Sequence, residues 1–178
     1  MGNRMCHHRA PDWIIRNMFL LVLLFSALLS PSVAYAQANI ALSATASHSG
    51  GGLSAYSSSN YNDNVVAPNT GCSSSAEPWG WVLTNGWITL TWPSAVSFNK
   101  IVLYKSNRPM TSCTMEYWDG TSFVPFLSYT STTCAQDSVI FSPITTTILR
   151  FNNCSGSSNP NHREIKVYSN VTPPPAIS

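Results

Sequence analysis

The stretch from Gly86 to Pro109, GWITLTWPSAVSFNKIVLYKSNRP, carries the clearest structural pattern in the chain. Trp87–Trp92 alternates between two faces with period two, which indicates a β-strand. Pro93 is expected to end this strand, because proline cannot donate to a ladder. Ile101–Tyr104 is apolar without a break, as is typical of a central strand in a sandwich. We predict a hairpin with a buried body, whose functional end is the polar loop Ser106–Pro109, with one arginine at its tip.

Short strand patterns and turn signals alternate through the rest of the chain. Asp119-Gly120 between two alternating runs is a strong hairpin signal. The predicted strands are Thr114–Trp118, Ser122–Leu127, Ser138–Phe141, Thr146–Phe151 and Arg163–Tyr168, with an edge-like first strand in Gln37–Ser49. No stretch after residue 36 shows helical periodicity with caps. The pattern predicts an all-β, antiparallel sandwich or jelly roll of about seven or eight strands.

Successive antiparallel strands reverse direction, so their connections alternate between two poles. The predicted turns at Pro93–Phe98, Asp119-Gly120 and Ser142-Pro143 lie at one pole. The loops Asn107–Cys113, Ser128–Gln136 and Asn152–Asn161 lie at the other, which we call the long-loop pole.

Residues 1–36 have the pattern of a secretory signal peptide. Three arginines precede the apolar run Met18–Leu29, and Ala34-Tyr35-Ala36 forms a small-x-small cleavage site. An uncleaved membrane anchor is the alternative, but the apolar run is short for a bilayer span. We expect a domain at residues 37–169 and a proline-rich tail or linker at residues 170–178. The protein is then secreted or at the cell surface (extracellular or periplasmic), without a transmembrane segment after cleavage.

The chain after residue 36 is electrically neutral, with six Lys and Arg against six Asp and Glu. This balance argues against a nucleic-acid partner, whose phosphates require a basic patch. Low charge with abundant Ser, Thr, Asn and Trp suits a surface that meets neutral, hydroxyl-rich ligands.

The four cysteines of this part of the chain, Cys72, Cys113, Cys134 and Cys154, predict two disulfides behind a signal peptide. Zinc is the alternative, but there is no C-x-x-C pair, and only two histidines remain after the leader. Three connectivities are open. Loop placement favours Cys113–Cys134 with Cys72–Cys154.

Several short motifs occur in an order that resembles the coagulation factor 5/8 type C, or discoidin, domain. The motifs are Asn39-Ile40-Ala41, Asn62-Asp63-Asn64, Trp79, Gly86-Trp87-Ile88-Thr89-Leu90, Phe98–Tyr104, Tyr117-Trp118-Asp119-Gly120 and Arg163–Tyr168. The resemblance covers roughly residues 38–169 and extends to family 32 carbohydrate-binding modules. It implies a galactose-binding-like jelly roll, usually non-catalytic, that binds glycans, or sometimes lipid headgroups or proteins, through loops at one pole.

The same resemblance implies a structural Ca²⁺ between the first long loop and the last strand. Asp63, with Asn62 and Glu164, supplies hard oxygen ligands at these places. The alternative is a turn that Asx side chains cap without a metal.

Seven residues are candidates for ligand contact. Arg108 with Asn107 lies in the long-loop set, where a guanidinium fork can hold two hydroxyls or a carboxylate; the alternative is a solvated turn. Trp79 and Trp81 could stack on a sugar ring, although at least one is expected in the core. His48, Asn153 and His162 are weaker candidates.

These observations favour a secreted, non-catalytic module that binds a neutral or weakly acidic glycan, free or joined to other domains of a surface protein. The alternative is an adhesion or scaffold domain that binds a protein or a lipid headgroup. A ring of apolar loop tips would favour binding to a membrane. A hydrolase is disfavoured, because neither a Ser/His/Asp order nor a paired-carboxylate motif is recognisable.

Overall fold

A computed structural model describes residues 37–50, 57–66, 80–105, 108–131, 136–156 and 160–169, without the side chains of residues 80, 81 and 161. Within these ranges, no helix has the length and apolar character that crossing a membrane requires.

The described residues form an all-β structure, as predicted. The strands are β1 (Thr45–His48), β2 (Gly80–Trp81), β3 (Gly86–Lys105), β4 (Met110–Trp118), β5 (Phe123–Thr130), β6 (Asp137–Gly156) and β7 (Asn161–Tyr168). The expected first strand is shorter than Gln37–Ser49, because a 3₁₀ turn at Ile40–Ser43 precedes it. Asn39 caps this turn by accepting a hydrogen bond from the Ala41 amide.

Two long strands, β3 and β6, build both layers of the sandwich. In one layer, the first half of β3 pairs with β1 and with the second half of β6. The second half of β6 also pairs with β4, and β4 pairs with β5. In the other layer, the second half of β3 pairs with the first half of β6 and with β7. The short strand β2 pairs with β7. All of these pairings are antiparallel.

The prolines bend these two strands without ending them, which corrects the predicted breaks at Pro93 and at Ser142-Pro143. The β3–β6 register shifts between Thr91 and Val96, and again between Phe98 and Lys100. Both prolines lie where the ladder leaves residues unpaired, so the missing N–H removes no ladder bond. Each strand therefore passes from one layer into the other.

One apolar core fills the space between the layers. Trp87–Trp92 has the predicted alternation, with Ile88, Leu90 and Trp92 buried. The opposite layer contributes Ile101, Leu103, Ile165 and Val167 to the same cluster. The indole nitrogen of Trp92 also donates to the Ile40 carbonyl over 2.9 Å, which fastens the N-terminal turn to the core.

The predicted Asp119-Gly120 turn is confirmed as the connection between β4 and β5. Gly120 has φ 107°, a backbone region that side chains disfavour. Asp119 accepts hydrogen bonds from the amides of Thr121 and Ser122, each over 2.8 Å. These bonds favour the ionised carboxylate and lower the pKa of Asp119 to about 2.

Strand ends meet at the long-loop pole as the alternation of direction predicts. Lys105 pairs with His162, Met110 with Gly156, and the Ser131 amide donates to the Thr111 carbonyl. A Cβ on Gly156 would lie 2.4 Å from the Pro109 carbonyl oxygen, so glycine permits this close approach.

Candidate functional site

Arg108 is an exposed residue at the long-loop pole, two residues before the start of β4. Its neighbour Asn107, and Trp79, lie outside the described residues. The backbone of Trp81 pairs with Asn161, beside the Lys105–His162 pair, so Trp81 belongs to the same pole. The stacking roles of the tryptophans therefore remain predictions.

A buried ion pair, which the sequence patterns did not reveal, lies beneath this pole. Lys105 is fully buried, and its ammonium is 2.5 Å from the Asp137 carboxylate. The Lys105 ammonium also donates to the Ser131 hydroxyl, and the Tyr129 hydroxyl donates to Asp137. A lysine at the end of an apolar run was the only sequence signal of this cluster.

The protonation states of the cluster follow from burial and hydrogen bonding. Burial raises the pKa of Asp137, but hydrogen bonds from Lys105, Tyr129 and Ser131 outweigh it, so the pKa is lowered overall. Burial is the main cause that raises the pKa of Tyr129 well above its usual value. At neutral pH Asp137 is therefore a carboxylate that pairs with Lys105, and Tyr129 is a neutral phenol.

A cavity of about 290 Å³ opens beside this cluster. It lies between the end of β5, an edge strand of one layer, and the start of β6 in the other layer. Its lining residues are Leu127, Ser128, Tyr129, Thr130, Ser131, Asp137, Ser138 and Val139. Five of these eight residues carry a hydroxyl group and Asp137 carries a carboxylate, and such groups can exchange hydrogen bonds with a hydroxyl-rich ligand.

The three weaker contact candidates have different environments. Asn153 is exposed, with φ 52°, on β6 at the long-loop pole. His48 is half-buried; its Nδ1 accepts from the Gly50 amide over 2.9 Å, and its ring packs edge-on to Tyr61. His162 is fully buried, which removes it from direct contact with a ligand at the surface and corrects that prediction. Burial also lowers the pKa of His162 to about 4, so it is neutral at pH 7.

Asp63 and Glu164 come together, as the predicted metal site requires. The Glu164 carboxylate is buried and accepts from the Asn64 amide over 3.0 Å. Burial, with a further contribution from the Asp63 carboxylate, raises the pKa of Glu164 to about 8. Asn62 donates from its amide nitrogen to the Ala41 and Ala44 carbonyls, both over 2.7 Å, and so positions the loop.

The two carboxylates fit a hard cation but do not form a complete protein site. In the described part of the chain, no three His, Cys, Asp or Glu side chains gather at one point. Backbone carbonyls and solvent would have to supply the other oxygen ligands.

The cysteines differ from the expected pairings. Cys113 and Cys154 are buried thiols in this structure, and they contact each other by a hydrogen bond. Neither forms the predicted bond to Cys134 or Cys72, two residues outside the described ranges. The bulge that aligns β4 with β6 brings the two thiols together, and sequence spacing does not reveal a bulge.

Comparisons with solved structures show the same fold in carbohydrate-binding modules. No protein-family model and no curated protein matches the chain. A chitosan-binding module 1 from a chitosanase/glucanase of Paenibacillus sp. IK-5 has a TM-score of 0.59 at 19% identity, covering 74% of this chain and 99% of that chain. The family 32 carbohydrate-binding module of C. perfringens NanJ, in complex with galactose, has a TM-score of 0.57 at 15% identity, covering 75% and 98%.

Similar domains also occur within longer enzymes. A Ruminococcus gnavus fucosidase in complex with fucose has a TM-score of 0.57 at 16% identity, where the match covers 78% of this chain but 27% of the enzyme. The described chain therefore has the galactose-binding-like, discoidin-type β-sandwich fold of these carbohydrate-binding modules, as its sequence motifs indicated.

Proposed function

We propose that this chain is a secreted, non-catalytic module that binds a neutral or weakly acidic glycan at its long-loop pole. The observation that carries the proposal is the arrangement at this pole: exposed Arg108 and a hydroxyl-lined cavity share it. Solved modules with the same fold, named for binding chitosan or containing galactose, support the choice of a sugar.

The charge pattern at the pole favours a neutral sugar over an ionic ligand. Lys105 neutralises Asp137 from inside, so the cavity presents hydroxyls without excess charge. Arg108 then supplies the strongest single group, because hydrogen bonds from a charged donor are stronger than neutral ones. A shallow site of this kind supports a dissociation constant of about 0.1–1 mM.

Replacing Arg108 with alanine is expected to weaken glycan binding about tenfold or more, which corresponds to roughly 1–3 kcal/mol. Galactose and chitotriose are the probes, and titration calorimetry measures the dissociation constants. Lys100→Ala is the matched control, because it also removes one positive charge but lies within β3, opposite Tyr168 at the end of β7. A sugar that binds wild type and Arg108→Ala equally well would place the binding site elsewhere.

We further propose that Asp63 and Glu164 hold a structural Ca²⁺ at the first loop and the last strand. A divalent cation would favour the ionised forms of these two adjacent carboxyl groups, because it offsets the burial of Glu164 and the repulsion between the two charges. In this role, the ion holds a loop that already has two attachments. Asn62 joins it to the N-terminal turn, and the Asn64 amide joins it to Glu164 on β7.

Calcium is expected to raise the stability of the chain by about 1.4 kcal/mol at tenfold excess over its dissociation constant. Thermal melts with added CaCl₂ and with a chelator measure the shift. Glu164→Gln should abolish the response, whereas Asp119→Asn, which alters an exposed turn carboxylate, should keep it. Equal melting temperatures with calcium and with chelator would contradict the site.

A further inference from the structure

We propose that Cys113 and Cys154 form a disulfide with each other under oxidising conditions, linking β4 to β6 directly below the long-loop pole. This bond would replace both pairings that loop placement favoured, since each of those uses one of these two cysteines.

The strand register places the two residues opposite each other. Ser112 pairs with Ser155, and their hydroxyl oxygens are 2.6 Å apart; Thr114 pairs with Asn152. Between these pairs, Cys113 alone faces two residues, Asn153 and Cys154, which defines a β-bulge.

The bulge turns the second cysteine inward. Asn153 takes the left-handed conformation, with φ 52°, and is exposed, whereas Cys154 is 0% exposed and Cys113 is 5% exposed. Facing residues of neighbouring antiparallel strands have Cα atoms about 4.5–5.5 Å apart. This separation lies within the range of about 4.4–6.8 Å that a disulfide spans.

The surroundings of the pair suit a disulfide better than a metal. Both cysteines belong to the apolar core cluster. Cys154 lies close enough to Tyr61, and Cys113 close enough to Tyr129, to contribute to raising the pKa of each phenol. In the described residues, no third His, Cys, Asp or Glu completes a metal site. A zinc site would need such ligands.

The oxidation is a thiol–disulfide exchange with a small disulfide such as oxidised glutathione. The thiolate of one cysteine attacks the glutathione disulfide, forms a mixed disulfide and releases one glutathione. The second cysteine then attacks the mixed disulfide and releases the other glutathione, so the protein loses two electrons and two protons to the oxidant. The hydrogen bond with Cys154 and burial both raise the pKa of the Cys113 thiol in the folded chain, so we expect the bond to form before the strands close over it.

Peptide mapping of the full chain, refolded with oxidised and reduced glutathione, tests the bond. After alkylation of free thiols, combined cleavage after Lys, Arg and Glu (except before proline) separates the four cysteines of residues 37–178. Cys72, Cys113, Cys134 and Cys154 fall in peptides 17–100, 106–116, 117–150 and 151–163, respectively. We expect a mass that joins 106–116 to 151–163. A bond from either peptide to 17–100 or 117–150, or alkylation of both, would overturn the proposal.

Melting temperatures measured with and without a reductant such as dithiothreitol give a second test. Reduction should lower the melting temperature of the Cys72→Ala/Cys134→Ala variant by roughly 7 °C, because this variant keeps the proposed bond. In the Cys113→Ala/Cys154→Ala variant, reduction should not produce this drop in melting temperature, because the proposed bond is absent. If the Cys72→Ala/Cys134→Ala variant contains the linked peptides but has the same melting temperature with and without reductant, the bond has no stabilising role. If a variant does not fold, peptide mapping of the wild-type chain decides the connectivity.

Discussion

Replacing Asp137 with alanine is expected to lower the free energy of unfolding by about 3 kcal/mol. The substitution leaves the fully buried Lys105 ammonium without its carboxylate partner. Loss of one member of a buried pair typically costs about 3–5 kcal/mol. We expect the lower end, because the Asp137 side chain keeps 26% of its surface exposed. Urea denaturation measures the change.

A double variant, Lys105→Met/Asp137→Leu, is the matched control. It removes both charges together, so it should recover most of the lost stability. If the double variant is as unstable as Asp137→Ala, the uncompensated ammonium is not the cause.

The pH dependence of this effect has a definite sign. The pKa of Asp137 is lower in the folded state than its ordinary value, so the unfolded chain binds the proton more tightly. The stabilisation is present above the unfolded pKa of about 3.9 and is lost as the pH falls below it. The difference between wild type and Asp137→Ala should therefore shrink in acid, and a difference that grows there would contradict the assignment.

Replacing Phe151 with alanine is expected to cost about 3–5 kcal/mol of stability. Phe151 is 0% exposed and pairs across the sheet with Ile88 and Met115, which are also fully buried. Removing its ring leaves a cavity that rigid strands on both sides cannot fill. Chemical denaturation measures the loss.

Phe141→Ala is the control for Phe151→Ala. Phe141 is half-buried and packs at the margin of the core against Phe98 and Phe126. Its loss should cost less, because solvent and neighbouring rings can occupy the space. Equal losses for the two variants would mean that Phe151 is not central to the core.

The hydrophobic pattern predicted local features correctly because they depend on residues close in sequence. The alternation in Trp87–Trp92 predicted which side chains are buried, and the apolar run after Lys100 predicted a central strand. The Asp119-Gly120 turn followed from the backbone preference of glycine. The prolines were misread, because whether Pro93 removes a ladder bond depends on the partner strand.

The sequence by itself determined the all-β class, the main turn and the pole at which the long connections meet. These follow from side-chain periodicity and from the reversal of direction between neighbouring strands. Only the tertiary structure decided the partners at that pole: Lys105 with Asp137, and Cys113 with Cys154. Their sequence separations are large, and a bulge or register shift of one residue would change which side chains meet. Register is a property of two strands together, so neither strand specifies it alone.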